Sequence, residues 1–486
     1  MAAGSIATSV EAPAPERGRL RRSLGFFGAA AVSVGVMAPT LAMSVTGVGP
    51  ARLIGRAGPL AYVLASVGVG LVAYGFVRLS SFVAHAGSVY AFVGRAVGPR
   101  AGFFAGWALL GTYIVFPPVS MIGVAVFGRA FLRDTGISSS TGWLPIALVA
   151  WGVIWVLASR GVRNTARALL VVEGVSMTLI LILVAAIYAK LAAGSAPAGR
   201  GRSLNTDWLH LPGGTGFSTV ALAATFGFLS YAGFEAAGSF GEEAGTPKRA
   251  IPRSIWLAIG IGAVFYLVCI VAQTLGFGTS AAGVAAFTHS QAPLGDLART
   301  YLDRPMADAL DAGAMLSALG AGLGGVAVAS RMLFALGRDG VLPRPLARVS
   351  STGAPTTALT VTMGLSLAAL LSFGLAGTQA LSAFFYLATM GVLSLLVMYV
   401  VTNAAALRFL FLAARRVPRW EIVFPLGGIA VAGYTLYRNL WPVPDYPFDI
   451  FPYVVAAWLA LAAAAVWLVP GLAGRIQRHL EAETET

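Results

Sequence analysis

Charge is scarce in this sequence. Only 11% of its 486 residues are Asp, Glu, Lys or Arg, against about a quarter in an ordinary soluble domain. Polar linkers of the kind that divide a long soluble chain into domains are missing too. There is one cysteine, Cys269, so no internal disulfide can form. Inside an apolar run such a residue serves as a small packed hydrophobe. The four histidines, His85, His210, His289 and His479, are scattered without metal-ligand spacing. With no clustered His, Asp or Glu, a membrane-embedded enzyme is disfavoured, and no metal or cofactor is expected. The run Gly320-Ala321-Gly322-Leu323-Gly324-Gly325 matches G-x-G-x-x-G, but no strand precedes it and no βαβ unit surrounds it. Small residues at that spacing let membrane helices approach closely.

Apolar length is what the chain has in quantity. Hydrophobic residues make up 57%, and runs near the ~20 residues that cross ~30 Å of hydrocarbon recur from Leu24 to Leu468. They predict an all-α membrane protein with twelve spans, at 24–49, 58–80, 100–128, 143–160, 165–190, 215–240, 251–278, 307–334, 356–375, 379–406, 421–441 and 450–470. Arg19, Arg21 and Arg22 before the first run resemble a signal-peptide n-region, but the apolar stretch continues past Pro39 to about Val48, too long for an h-region.

The formal charge is +14, from 33 basic and 19 acidic residues. The basic residues sit in short loops between apolar runs, which is a topology signal rather than a nucleic-acid footprint. With twelve spans, 23 of the 33 fall on the side of the N-terminus and 10 on the other. That bias predicts both termini in the cytoplasm of a multi-pass protein of the inner, or plasma, membrane. The basic segments 242–253 and 338–348 fit contact with anionic lipid, or a gate contact such as Glu242 or Glu243 against Arg338. Residues 1–23 and 471–486 read as cytoplasmic tails, their ends polar and solvated.

Polar groups at membrane depth must carry any chemistry, and backbone is one source. Irregular backbone is tolerated there only beside protein or a wet cavity. Ser33-Val34-Gly35-Val36-Met37-Ala38-Pro39 is one interruption, since Pro39 has no N–H and clashes with the preceding turn. Freed amides at a half-helix N-terminus suit a carboxylate; a plain proline kink is the alternative. Leu229-Ser230-Tyr231-Ala232-Gly233-Phe234-Glu235 is the second, where a glycine and an ionisable residue fall within an apolar span. Carbonyls freed there suit an ammonium group. The interruptions lie in the first and sixth spans, the pattern of two five-span halves of opposite topology with a site between them near the midplane. The halves are 24–193 and 214–407, joined by an outer loop at 194–213 and followed by two further spans at 408–470.

Several motifs carry a family resemblance. Phe226–Glu235, then Glu242-Glu243 and Pro247-Lys248-Arg249-Ala250-Ile251-Pro252-Arg253, resemble the sixth helix and following cytoplasmic loop of the amino acid–polyamine–organocation superfamily. Ser330–Pro343 resembles the end of its eighth helix. Ala86–Tyr90 and Gly98–Trp107 resemble its link between helices two and three. The resemblance spans about residues 24–410. It implies a LeuT-like 5+5 inverted repeat with two extra helices. It implies a substrate carboxylate on main-chain amides at Val34, Gly35, Val36, Met37 and Ala38, and an amino group on carbonyls near Leu229, Ser230 and Ala232, beside Gly233. Tyr231 would shield the site. The chain departs from the family in lacking a Gly-Ser-Gly type run at the first break. It also has Ser176 where some relatives carry a lysine that replaces sodium, so that ammonium is absent.

Glu173 lies one helical turn before Ser176 on the same face, and Glu235 is costly at depth. Either could carry a coupling proton; a neutral, hydrogen-bonded structural role is the alternative for Glu173. Tyr113 could line the pocket or simply pack. Pro117-Pro118 marks a bend, and Asp311 reads as interfacial. The implied function is a secondary active transporter for an amino acid or related amine, working by alternating access within the lipid bilayer and coupled to H+. An exchanger without net ion coupling is the first alternative, sodium coupling follows it, and a channel or transporter-like sensor is the alternative of another class.

Overall fold

A computed structural model describes residues 25–82, 88–137, 140–159, 163–243, 245–350, 355–413, 416–468, 471 and 473–477. The side chains of 163–169 and 240–243 fall outside the description, as do both tails. The gate contact from Glu242 or Glu243 therefore lies outside the described residues. All regular structure among these residues is helical. The helices are α1 Phe26–Met37, α2 Pro39–Val45, α3 Val48–Ile54, α4 Gly58–Ser80, α5 Val89–Ala96, α6 Pro99–Asp134, α7 Trp143–Ser159, α8 Arg163–Ala192 and α9 Phe217–Tyr231. After a 3₁₀ run at Phe234–Glu243 come α10 Pro247–Phe277, α11 Ala281–His289, α12 Pro293–Tyr301, α13 Arg304–Arg338, α14 Thr356–Leu375, α15 Ala380–Leu407, α16 Val423–Arg438 and α17 Phe451–Leu468. Among the described residues nine helical segments are long and apolar enough to cross a membrane, and α7 and α9 are shorter apolar helices.

Proline sets many of the starts. It stands in the first turn of α2, α4, α6, α10, α12 and α13, where its missing N–H costs no helical bond. In α13 the Asp303 carboxylate also accepts from the Met306 amide at 2.8 Å, capping the helix. Pro117 and Pro118 sit inside α6, which continues through them.

The first expected span is divided three ways. The break falls at Ala38, in the left-handed region (φ 45°, ψ 66°), and α1 runs through Gly35 without interruption. A second turn at Thr46 and Gly47 separates α2 from α3. The sixth span ends its α-helix at Tyr231, and Gly233 follows at φ +113°. Helices α5, α11 and α12 lie in regions expected to be loops.

The long helix α6 packs against α13 and α15 and forms the spine of the bundle. Its C-terminal end is tied down by charge. Arg299 on α12 pairs with Asp134 at the end of α6 and bonds Asp296 at 2.9 Å, and it lies 3.7 Å from Asp311 of α13. Asp311 is thus a buried member of an ion cluster. Removing one partner of a buried pair strands the other charge. We expect Arg299→Ala to cost on the order of 2 kcal/mol, the half-exposed arginine softening the effect. Adding Asp311→Asn should restore part of it. Thermal unfolding in detergent checks both; a double variant no more stable than Arg299→Ala would refute the assignment.

Candidate functional site

Ser, Thr and Tyr hydroxyls fasten the two broken segments to each other. The Ser33 hydroxyl on α1 donates to the Phe234 carbonyl at 2.8 Å and accepts from the Ala237 amide at 3.2 Å. Beyond the first break, the Thr46 hydroxyl is 2.9 Å from that of Ser230 and 2.5 Å from the Tyr62 hydroxyl. Between these ties the backbones nearly touch. A Cβ placed on Gly233 would meet the Met37 amide and Val36 at under 3.0 Å. Gly233 is therefore required twice, for its positive φ and for close approach.

Breaking a helix releases backbone groups. In an unbroken helix the amides of residues 39, 40 and 41 would bond to the carbonyls of Gly35, Val36 and Met37. Pro39 has no N–H to give. The Thr40 amide instead donates to Glu173 Oε1 at 2.8 Å, and the Leu41 amide to the Ser317 hydroxyl at 3.2 Å. The donors at the start of α2 are thus taken by side chains from α8 and α13, while the Val36 and Met37 carbonyls lose their helical partners. Within the expected amide cluster, the Ala38 amide bonds the Val34 carbonyl at 3.0 Å, and Val34 to Met37 lie inside α1.

A cavity of about 50 Å³ opens beside the crossing. Val36, Met37 and Ala38 line it from the first break, and Leu229 and Ala232 from the second. The opposite wall comes from α6 (Phe116, Val119, Ser120), α13 (Ala321, Gly325) and Phe384 of α15. No ionisable residue is part of this lining.

The remaining expected residues sit around the cavity rather than on its wall. Tyr231 turns to α4, its hydroxyl 2.6 Å from that of Ser66, and packs edge-on against Tyr266. The Ser230 carbonyl accepts from Tyr266 at 2.7 Å. Tyr113 donates to Glu235 Oε1 at 2.9 Å. Tyr399 and the Gly233 amide approach the other Glu235 oxygen at 3.5 and 3.3 Å. Ser176 is buried against Gly313 of α13. The structure therefore brings Glu173 to the first break and Glu235 to the second, and both carboxyls are almost fully buried. Sequence reasoning missed Ser317, Phe116, Ala321, Gly325 and Phe384. Only the small-residue run 320–325 hinted that α13 approaches something closely. Among the described residues no cluster of His, Cys, Asp or Glu is arranged to hold a metal ion.

Broken helices crossing over a cavity in an apolar bundle are the architecture of a carrier, and comparison with known proteins decides the family. The family model described as amino acid permease matches residues 29–416. The chain belongs to that family. This permease-family protein is 27% identical to the branched-chain amino acid permease of Lactococcus lactis, over 67% of this chain and 70% of the relative. It is 26% identical to an uncharacterized transporter of Mycobacterium tuberculosis, over 66% and 68%. It is 23% identical to the low-affinity putrescine importer of Escherichia coli, over 68% and 70%. It is a multi-pass membrane transporter, and not an enzyme.

The contact at Gly233 gives a direct test. Gly233→Ala places a methyl against the α1 backbone and forces an unfavourable φ, costing about 2–3 kcal/mol. The melting temperature in detergent should fall and uptake should be lost, whereas Gly364→Ala, which has open space around it, should change neither.

Proposed function

We propose that this permease is a secondary active carrier that moves an amino acid or related amine by alternating access, with H+ as its coupling ion. The observation that supports the reading most is the cavity where the two broken segments cross. Backbone at membrane depth is irregular there, and irregular backbone is tolerated where it lines such a cavity. The proposed fold is the LeuT-like 5+5 inverted repeat with two added helices, twelve spans in all. The first and sixth spans are the corresponding members of the two halves. Both termini are proposed to face the cytoplasm across the plasma membrane, from the distribution of Lys and Arg.

In this account Val36, Met37, Ala38, Leu229 and Ala232 contact the solute. Gly233 permits the crossing, and Tyr113 acts through Glu235. The carboxyls of Glu173 and Glu235 each bond to a break in a helix. Taking up a proton at either changes the hydrogen bonding that holds the break closed, which is how a proton gradient would bias the two access states. The branched-chain permease and the putrescine importer among the relatives fit a solute with an amino group.

Proteoliposomes with an imposed pH gradient supply the test. Accumulation should follow an inside-alkaline gradient in the native protein. The pair Glu173→Gln with Glu235→Gln should abolish gradient-driven accumulation while leaving counterflow measurable. Full-rate pH-driven uptake by the double variant would remove these carboxyls from the coupling step. Ohmic current in place of saturable uptake would indicate a channel.

A further inference from the structure

Where the apolar segment 380–412 ends, the chain turns basic. From 408 to 421 it carries Arg408, Arg415, Arg416 and Arg419 against one acid, Glu421. That acid is already occupied. It is buried, and Arg78 and Tyr74 of α4 each donate to its Oε2 at 2.5 Å. After α15 one turn is wound as a π-helix, with the Ala413 amide on the Arg408 carbonyl at 2.8 Å. The chain then folds back, and the Arg416 amide reaches the Leu410 carbonyl at 3.0 Å. This return lays the Arg416 guanidinium over the Phe409 ring, 3.9 Å from its centroid, with the ring of Phe82, just past α4, at 5.5 Å. Such stacking uses the face of a guanidinium and leaves its edge donors open. Arg408, Arg416 and Arg419 are all exposed, and among the described residues none of them has an ion pair or a side-chain hydrogen bond. Neighbouring positions in the chain expose apolar surface, at Leu412, Trp420 and Val423. Tryptophan is enriched at such a border between membrane and water.

We propose that this seam between the ends of α4 and α15 and the start of α16 binds an anionic phospholipid. The guanidinium edges of Arg408, Arg416 and Arg419 take the phosphate, and the acyl chains run along Leu412, Trp420 and Val423. The planar fork of arginine matches phosphate oxygens in pairs. Basic pockets at the ends of membrane helices hold anionic headgroups for that reason. A free phosphate would satisfy the guanidinium groups and leave the apolar surface uncovered, so the lipid is the occupant that fits both. A lipid with a choline headgroup brings a cation of its own, which the arginines repel. The inference stands apart from the identity of the solute and from its coupling ion.

Tryptophan quenching by brominated lipids tests this on the full chain in phosphatidylcholine vesicles. The Trp420 signal is the difference between the native protein and Trp420→Phe. Phosphatidylglycerol brominated on its acyl chains should quench that signal at a mole fraction about tenfold lower than brominated phosphatidylcholine, the effect of two or more basic groups near the surface. Arg416→Gln with Arg419→Gln should remove the preference. Arg129→Gln with Arg304→Gln, an equal loss of charge on α6 and α13, should keep it. Inorganic phosphate, matched in ionic strength with chloride, should not displace the lipid. Equal quenching of the native protein by the two lipids overturns the proposal, and that comparison needs no arginine variant to fold. A preference that both double variants keep, or both lose, assigns it to the field of the whole protein and overturns the site. Displacement by inorganic phosphate overturns the choice of a lipid.

Discussion

Peptide groups cannot be left unpaired in hydrocarbon, and the centre of this protein is arranged around that constraint. At Ala38 and again after Tyr231 the backbone leaves the helix, and each departure releases groups that need partners. Side chains supply many of them: Glu173 and Ser317 from distant helices at the first break, and Ser33 from α1 with the neighbouring Glu235 at the second. The bonds of Glu173, Ser317 and Ser33 join separate elements, so the breaks act as junctions of the bundle. This is also why a carboxyl can be kept at such depth. It replaces an intrahelical bond that would otherwise be missing.

The same bonds give the site its chemistry. An unbroken pair of helices would present only side chains to a solute. The break at Ala38 instead releases main-chain acceptors at residues of a wall that is mostly apolar, with the Thr46 and Ser120 side chains among it. Because the groups holding the breaks are carboxyls and hydroxyls, their bonding responds to protonation and to an incoming charge. The elements α8, α13 and the 3₁₀ run are anchored to the breaks directly.

Much of this was legible in the sequence, for identifiable reasons. The long helices follow from apolar length, and many begin at a proline whose placement is local information. Both breaks carry local signals, Pro39 in one case and Gly233 beside Glu235 in the other. What local signals could not give was the exact turn within 33–39, which falls at Ala38, just ahead of the proline. Nor could they reveal that Glu173 meets the Thr40 amide across 133 positions. The wall formed by Phe116, Ala321, Gly325 and Phe384 was hidden for the same reason. It depends on how α6, α13 and α15 pack, and only the small-residue run 320–325 gave a local sign of that approach. Tyr231 was expected at the cavity from the family resemblance, but the helix turns its ring toward Ser66 and Tyr266.

The central claim is that solute binds where the two broken segments cross. Its most direct test is solute protection of a thiol on the cavity wall. Cys269 is fully buried, so a cysteine introduced at Ala321 stands out against a silent background. With Ala321→Cys in proteoliposomes, the account predicts that a small methanethiosulfonate reagent blocks uptake and that the transported amine or amino acid slows the reaction. Modification of that thiol with uptake unchanged, or at a rate indifferent to saturating solute, would contradict it.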